Sequence, residues 1–370
     1  MTEPVAAGTQ AVPTTTPVPG PLPSVSPTAA SVATETPAAP GVLPAASPLA
    51  EPGAAPEAPV IEIPLADPLT QPDAQISGLA WYGDHLILLP QYPDFSLKEG
   101  DGAVYALPRA DLLAYLDGRT AGPLQPVPVP FAAPGLADQV DGYEGYEAIT
   151  FFGDQAFLTI EADTARGMRA YLVSGWMAPD LSSLKLDTAT LTEIPAQSDS
   201  GNKSDEALLV AGDRLVTIYE VNGADVNPSP VAHLFDLGLA PAGTIPFPQV
   251  EYRITDATDL DGEGRFWATN YFFPGDTDLR PGTDPLAERY GWGPSHTPEG
   301  AVERLVEFQL THAGIALADR PPIQLELPDN LLGMIGRNWE GLARLDQRGF
   351  LLATDTFPGT ILAFVPGPEE

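Results

Sequence analysis

Five stretches of the chain repeat one order of polar and apolar positions: a polar or acidic residue, a small or apolar one, an apolar run, a turn with Gly or Asp, and a second apolar run. They are SGLAWYGDHLILLPQ from Ser77, EAITFFGDQAFLTIE from Glu147, EALLVAGDRLVTIYE from Glu206, DATDLDGEGRFWATN from Asp256 and EGLARLDQRGFLLATD from Glu340. Two runs of β-formers flanking a turn such as Gly153-Asp154 or Gly212-Asp213 predict a β-hairpin in each. A third apolar strand follows every hairpin, near Ala103, Arg169, Ala232, Leu305 and Thr360. A fourth, more polar and ending near proline, follows at Val127, Leu191, Gly243 and Ile323. Proline suits an outer strand, where a missing N–H breaks no ladder.

The fifth repeat lacks this fourth strand, and VIEIPLA from Val60, ahead of the first repeat, matches it. The pattern therefore predicts an all-β fold: a five-bladed β-propeller of four-stranded blades whose N-terminal strand completes the last blade and closes the ring. A β-sandwich has similar strand spacing, but gives no reason for the missing strand to lie at the other end of the chain.

Composition changes the picture at the N-terminus. Residues 1–57 are almost entirely Ala, Pro, Thr, Val, Ser and Gly, with no Lys, Arg or aromatic residue. Such a stretch buries too little apolar surface to offset chain entropy, so it reads as a disordered leader ahead of a propeller domain at 58–370. No basic and apolar signal peptide is visible, and no apolar run is long enough to span a bilayer. Thr/Pro-rich spacers of this kind commonly tether exported bacterial domains, which points to an extracellular or cell-envelope location; a soluble protein with a disordered tail is the alternative.

The formal net charge is -33, from 17 Lys and Arg against 50 Asp and Glu. This excludes a nucleic-acid partner and favours attraction of cations by a soluble monomer. With no cysteine, thiol catalysis and Cys-based zinc sites are also excluded. Nucleophile-elbow, P-loop, H-E-x-x-H and dinucleotide motifs are missing, and DLDGEG from Asp259 reads as a hairpin turn rather than a calcium loop.

The candidate chemistry lies at the ends of the hairpins. Aligned, the repeats give one column of Ser77, Glu147, Glu206, Asp256 and Glu340, and a second of Gln91, Glu161, Glu220, Asn270 and Asp355. If each hairpin is the innermost pair of its blade, first and last positions lie side by side at one mouth of the channel. Converging carboxylates need protons or a cation, and an oxygen-only donor set suits calcium better than zinc. The alternative is that each acid bonds backbone amides at its own blade junction. Lys203, Arg253 and Arg337 each stand three residues before the acid of their unit, as ligands for a small anionic group or as salt-bridge partners of the acids. The long YFFPGDTDLRPGTDPLAERYGWGPSHTPEG segment from Tyr271 is a candidate lid.

SDEALLVAGDRLVTIYE (204–220), YEAITFFGDQAFLTIEAD (146–163) and NWEGLARLDQRGFLLATD (338–355) resemble the phytase-like, or "esterase-like activity of phytase", propeller family. The first-column order is similar to the central calcium shell of five-bladed calcium-activated nucleotidases. That resemblance implies Ser77, Glu147, Glu206 and Glu340 as ligands. Asp256 departs from the hydroxyl residue expected there, and Thr255, one residue earlier, restores it if the register slips. Together these readings lead to calcium-dependent hydrolysis of a phosphate ester or related ester, with Glu161 or Glu220 as general base. The competing reading is a non-catalytic exported propeller that binds a ligand or surface partner.

Overall fold

The computed structural model describes residues 54–95, 100–198, 200–328 and 336–368. The leader up to residue 53 lies outside them. Among the described residues the fold is all-β, with short helices at Arg109–Leu116, Leu136–Gln139 and Pro285–Tyr290 in the connections. None is long and apolar enough to cross a membrane.

Four of the repeats begin with the expected hairpin. In the first, Ile76–Tyr82, His85–Pro90, Gly102–Pro108 and Val127–Ala132 pair in sequence order, and in the second Tyr143–Phe152, Gln155–Thr164, Gly167–Met177 and Leu184–Ile194 do the same. The third repeats this order with Asp205–Ala211, Arg214–Tyr219, Val231–Asp236 and Pro241–Pro246. In the fifth, Trp339–Leu345, Gly349–Thr354 and Leu362–Pro366 are joined by Ile61–Ile63, with Ile61 opposite Phe364 and Ile63 opposite Leu362. The strand before the first repeat thus fills the fourth place of the last.

Two features differ from the regular pattern. Among the described residues hydrogen bonding yields four sheets, not five, partly because Leu184 and Lys185 pair in parallel with Phe131 and Ala132 and merge the first two repeats into one eight-stranded sheet. In the fourth repeat the inner strand is reduced to a bridge between Ala257 and Ala268, because the Thr269 hydroxyl accepts the backbone N–H of both Thr255 and Asp256. The 1–57 boundary also moves: Glu57–Ala58 is already a strand, parallel to Gln324 and Leu325.

The inner strands of the first and second, second and third, and fifth and first repeats lie in contact, and Arg265–Phe272 of the fourth repeat contacts the inner strand of the fifth. A cavity of about 140 Å3 is lined by residues of all five repeats, Leu79, Ile149, Leu208, Ala257 and Leu342 among them, together with the charged Asp259, Asp261 and Arg344. The residue after each first-column position is small: Gly78, Ala148, Ala207, Ala257, Gly341. A Cβ on Gly78 would press on the Glu147 and Ala148 backbone, so small side chains here let the inner strands approach. At the turn of DLDGEG the Asp261 carboxylate accepts the N–H groups of Glu263 and Arg265, which is turn chemistry.

Candidate functional site

In four repeats the inner pair carries a β-bulge at the first-column residue, and the second repeat has a further register shift between Tyr143 and Gly145. The register shifts between Ile76 and Gly78, Tyr146 and Ile149, Asp205 and Ala207, and Trp339 and Gly341. Ser77, Glu147, Glu206 and Glu340 fall in these gaps. A bulge leaves its extra residue unpaired and re-aims its side chain. It also offsets the two columns: Glu161 pairs with Gly145, while the N–H groups of Glu220 and Asp355 donate to Ser204 O and Asn338 O, two residues before each acid. Gly145 has φ 114° and sits against Gln91, where a Cβ has no room.

The polar members of the first column divide into two kinds. Ser77 Oγ donates to Tyr146 O at 2.6 Å, and Thr255 Oγ1 donates to Trp339 O at 2.5 Å. Both acceptors immediately precede a column glutamate, so Thr255 occupies the place that Ser77 has in the first repeat. Asp256 is displaced by one residue, and its carboxylate accepts the N–H groups of Ala257 at 2.8 Å, Leu342 at 2.7 Å and Leu79 at 3.5 Å. It is bound up in tying repeats one, four and five together, which is the structural alternative for these acids.

Glu147, Glu206 and Glu340 are buried together with the second-column acids. Burial raises the carboxyl pKa of all three well above the ordinary range, reinforced for Glu147 by Glu161 and Glu340, for Glu206 by Glu220 and Glu340, and for Glu340 by Asp355. Glu161 is pushed up to about 7 by burial and by Glu220, against the opposing pull of Lys203 and Arg253. Asp355 is raised by burial. Six carboxylates therefore interact in one group, with Lys203 and Arg253 as the cations that act on it.

The bases of that group have partners of their own. Arg253 Nη1 lies 2.8 Å from Glu220 Oε1, and its Nε donates at 2.8 Å to Asp276 of the long insert. Lys203 Nζ donates to Asn202 O at 2.8 Å. Arg337 stands apart from the six acids: Nε donates to Glu303 Oε2 at 2.9 Å and Nη2 to Glu326 O at 2.6 Å. In the second column Gln91 donates to Glu147 Oε1 at 3.1 Å, whereas Asn270 is occupied by Arg304 and by the carbonyls of Glu251 and Arg253.

Two participants were not picked out from sequence. Tyr271 Oη bonds Glu340 Oε1 at 2.9 Å and also reaches Asn338 Oδ1, while Asn338 Nδ2 donates to Asp355 Oδ2 at 3.3 Å. Asn338 holds the position two before its acid that Gly145 and Ser204 hold in theirs, a phase visible only once the bulge is known.

The donor chemistry suits a hard cation: all oxygens, with Glu161 Oε1, Glu206 Oε2 and Asp355 Oδ1 buried and without a hydrogen-bond partner. No three His, Asp or Glu side chains among the described residues lie close enough together to hold a metal ion as they stand. A cation would have to draw these carboxylates inward.

No family model matches the chain, and no curated protein is similar to it. Among solved structures it is similar to the catalytic domain of a GH62 α-L-arabinofuranosidase from Coprinopsis cinerea, with 10% identity over 85% of this chain and 97% of that one and a TM-score of 0.47. A structure from the GH130 family of mannoside phosphorylases gives 8% identity, 89% and 97% coverage and a TM-score of 0.47. The soluble aldose sugar dehydrogenase of Escherichia coli gives 12%, 81% and 98%, and 0.38. Likenesses this slight carry no argument about chemistry.

Proposed function

We propose that the five repeats are the blades of a five-bladed propeller, and that its acidic mouth binds a divalent cation, calcium by donor type, to hydrolyse a phosphate ester or related ester. A cavity lined by residues of all five repeats supports the ring. What carries the site is the burial of Glu147, Glu161, Glu206, Glu220, Glu340 and Asp355 as one interacting group with unpartnered oxygens. Glu206, Glu147 and Glu340 would hold the cation; Ser77, whose hydroxyl bonds the carbonyl before Glu147, holds the junction, and Asp256 does likewise.

A bound cation would polarise an ester oxygen and lower the pKa of a water. Glu161, held near neutrality, is suited to take a proton from that water as general base. Glu220 is pinned by Arg253 and acts by keeping Glu161 raised and Arg253 oriented.

A second reading, a non-catalytic ligand-binding propeller, is favoured by the engagement of Lys203, Arg253 and Arg337 with the protein's own groups, which leaves little to grip an anion. Calorimetric titration with calcium at pH 7, alongside a screen of aryl phosphates and aryl carboxylic esters, separates the readings. Binding plus turnover, both abolished by Glu206→Gln, is the expected result; binding without turnover leaves the second reading, and absence of binding refutes the cation site.

A further inference from the structure

Glu57 closes the leader defined by composition, yet its side chain is anchored. Oε1 accepts from the Ser295 amide at 2.7 Å, the Ser295 hydroxyl at 2.6 Å and His296 Nδ1 at 3.0 Å. The other ring nitrogen of His296, Nε2, accepts the backbone N–H of Glu303 at 3.1 Å. Donor on one side and acceptor on the other define one state of this buried ring, the neutral imidazole with its proton on Nδ1.

The neighbours of Glu57 make the same connection. The Ala55 N–H donates to Trp292 O at 2.8 Å, and Ala58 O accepts the Glu326 N–H at 2.9 Å. Ser295 Oγ in turn accepts the Leu327 N–H at 3.1 Å. Four residues thus tie the middle of the insert to the strand Ile323–Leu325. The other end of the insert reaches the acidic group through Asp276 and Arg253.

We propose that residues 55–58 are a strap holding the insert against the rim of the acidic mouth, and that His296 is an acid-sensitive latch on that strap. A proton on Nε2 converts the acceptor of the Glu303 amide into a second donor facing it, so the amide loses its partner and the insert loosens. The groups facing the ring are Glu57 from the first strand, Ser295 beside it, and Glu303 from Val302–Thr311, whose carboxylate is engaged by Arg337 and by Trp339 Nε1. Glu57 favours the charged ring, but burial outweighs it and holds the imidazole below its ordinary pKa of 6.5. The neutral ring's contribution is therefore complete above pH 6.5 and is lost as pH falls below that value through the lowered pKa of the folded ring. The strap does not depend on the cation-site reading, and its test uses neither calcium nor turnover.

The test combines nitrogen-15 NMR of the His296 ring with amide exchange of residues 292–303, corrected for pH, in wild type and Glu57→Ala. At pH 7 the ring should carry its proton on Nδ1. Exchange in 292–296 should rise about tenfold on lowering pH through the His296 transition, and by a similar factor in Glu57→Ala, as expected for losing a hydrogen bond to a charged group. Exchange in Gly349–Thr354 should not change. A proton on Nε2 at pH 7, or insert exchange indifferent to His296 titration in the wild type, would overturn the latch; both readouts stand even if Glu57→Ala fails to fold.

Discussion

Substituting Arg253 and substituting Glu206 should move stability in opposite directions. Arg253 neutralises Glu220, which is fully buried, and Arg253→Met leaves that carboxylate without its ion pair. Loss of one partner of a buried pair costs about 3–5 kcal/mol. Glu206 is in the reverse situation: at neutral pH its charge is opposed by burial and by Glu220, Glu340 and Glu147. Glu206→Gln keeps the shape and removes the charge, so calcium-free protein should gain about 1–3 kcal/mol while losing its response to calcium. Urea denaturation of both variants in chelator checks the signs. At Thr255 the hydroxyl bond to Trp339 O joins two repeats, and Thr255→Val should cost about 1–2 kcal/mol.

At the scale of the element, the bulge sets which side chains leave the ladder of the inner pair. Gly145 shows how tightly it is built, since its backbone at φ 114° lies against Gln91. Gly145→Ala should destabilise by about 2 kcal/mol or more, because both the left-handed conformation and the missing space oppose a Cβ. The hairpins were legible from sequence because period-two apolar runs and Gly-Asp turns are local signals; turn and strand in Gly212-Asp213 and Arg214–Tyr219 lie where the pattern puts them. The bulge was not, since one unpaired residue leaves the apolar run intact. That is why Asp256 aligned with the glutamates although Thr255 makes the equivalent bond. Arg337 shared a phase with Lys203 and Arg253 for an equally nonlocal reason: its partner Glu303 comes from another strand, 34 positions away. The fourth repeat lost its inner strand to a side-chain contact, from Thr269, that no period records.

For the whole molecule, closure and charge are linked. The strand Ile61–Ile63 supplies the last edge of the fifth repeat, so Ile63→Asp, placing a charge at a buried seam position, should lower the melting temperature of the entire domain cooperatively. In the proposed ring, closure would in turn bury the acidic group. A carboxyl raised from 4.5 to about 7, as Glu161 is, binds protons more tightly folded than unfolded, so stability falls as pH rises between those values, by roughly 3 kcal/mol for this group. Glu147, Glu206, Glu340 and Asp355 shift in the same direction. A cation bound only by the folded state offsets this loss.

The most direct measurement is the melting temperature as a function of pH, with chelator and with excess calcium. The expected result is a chelated protein that loses stability as pH rises from about 4.5 to about 7, and a calcium-loaded one that recovers it at neutral pH while differing little at the acidic end. Two superimposable curves that do not fall across this range would contradict a buried, cation-binding group of carboxylates at the mouth of the ring.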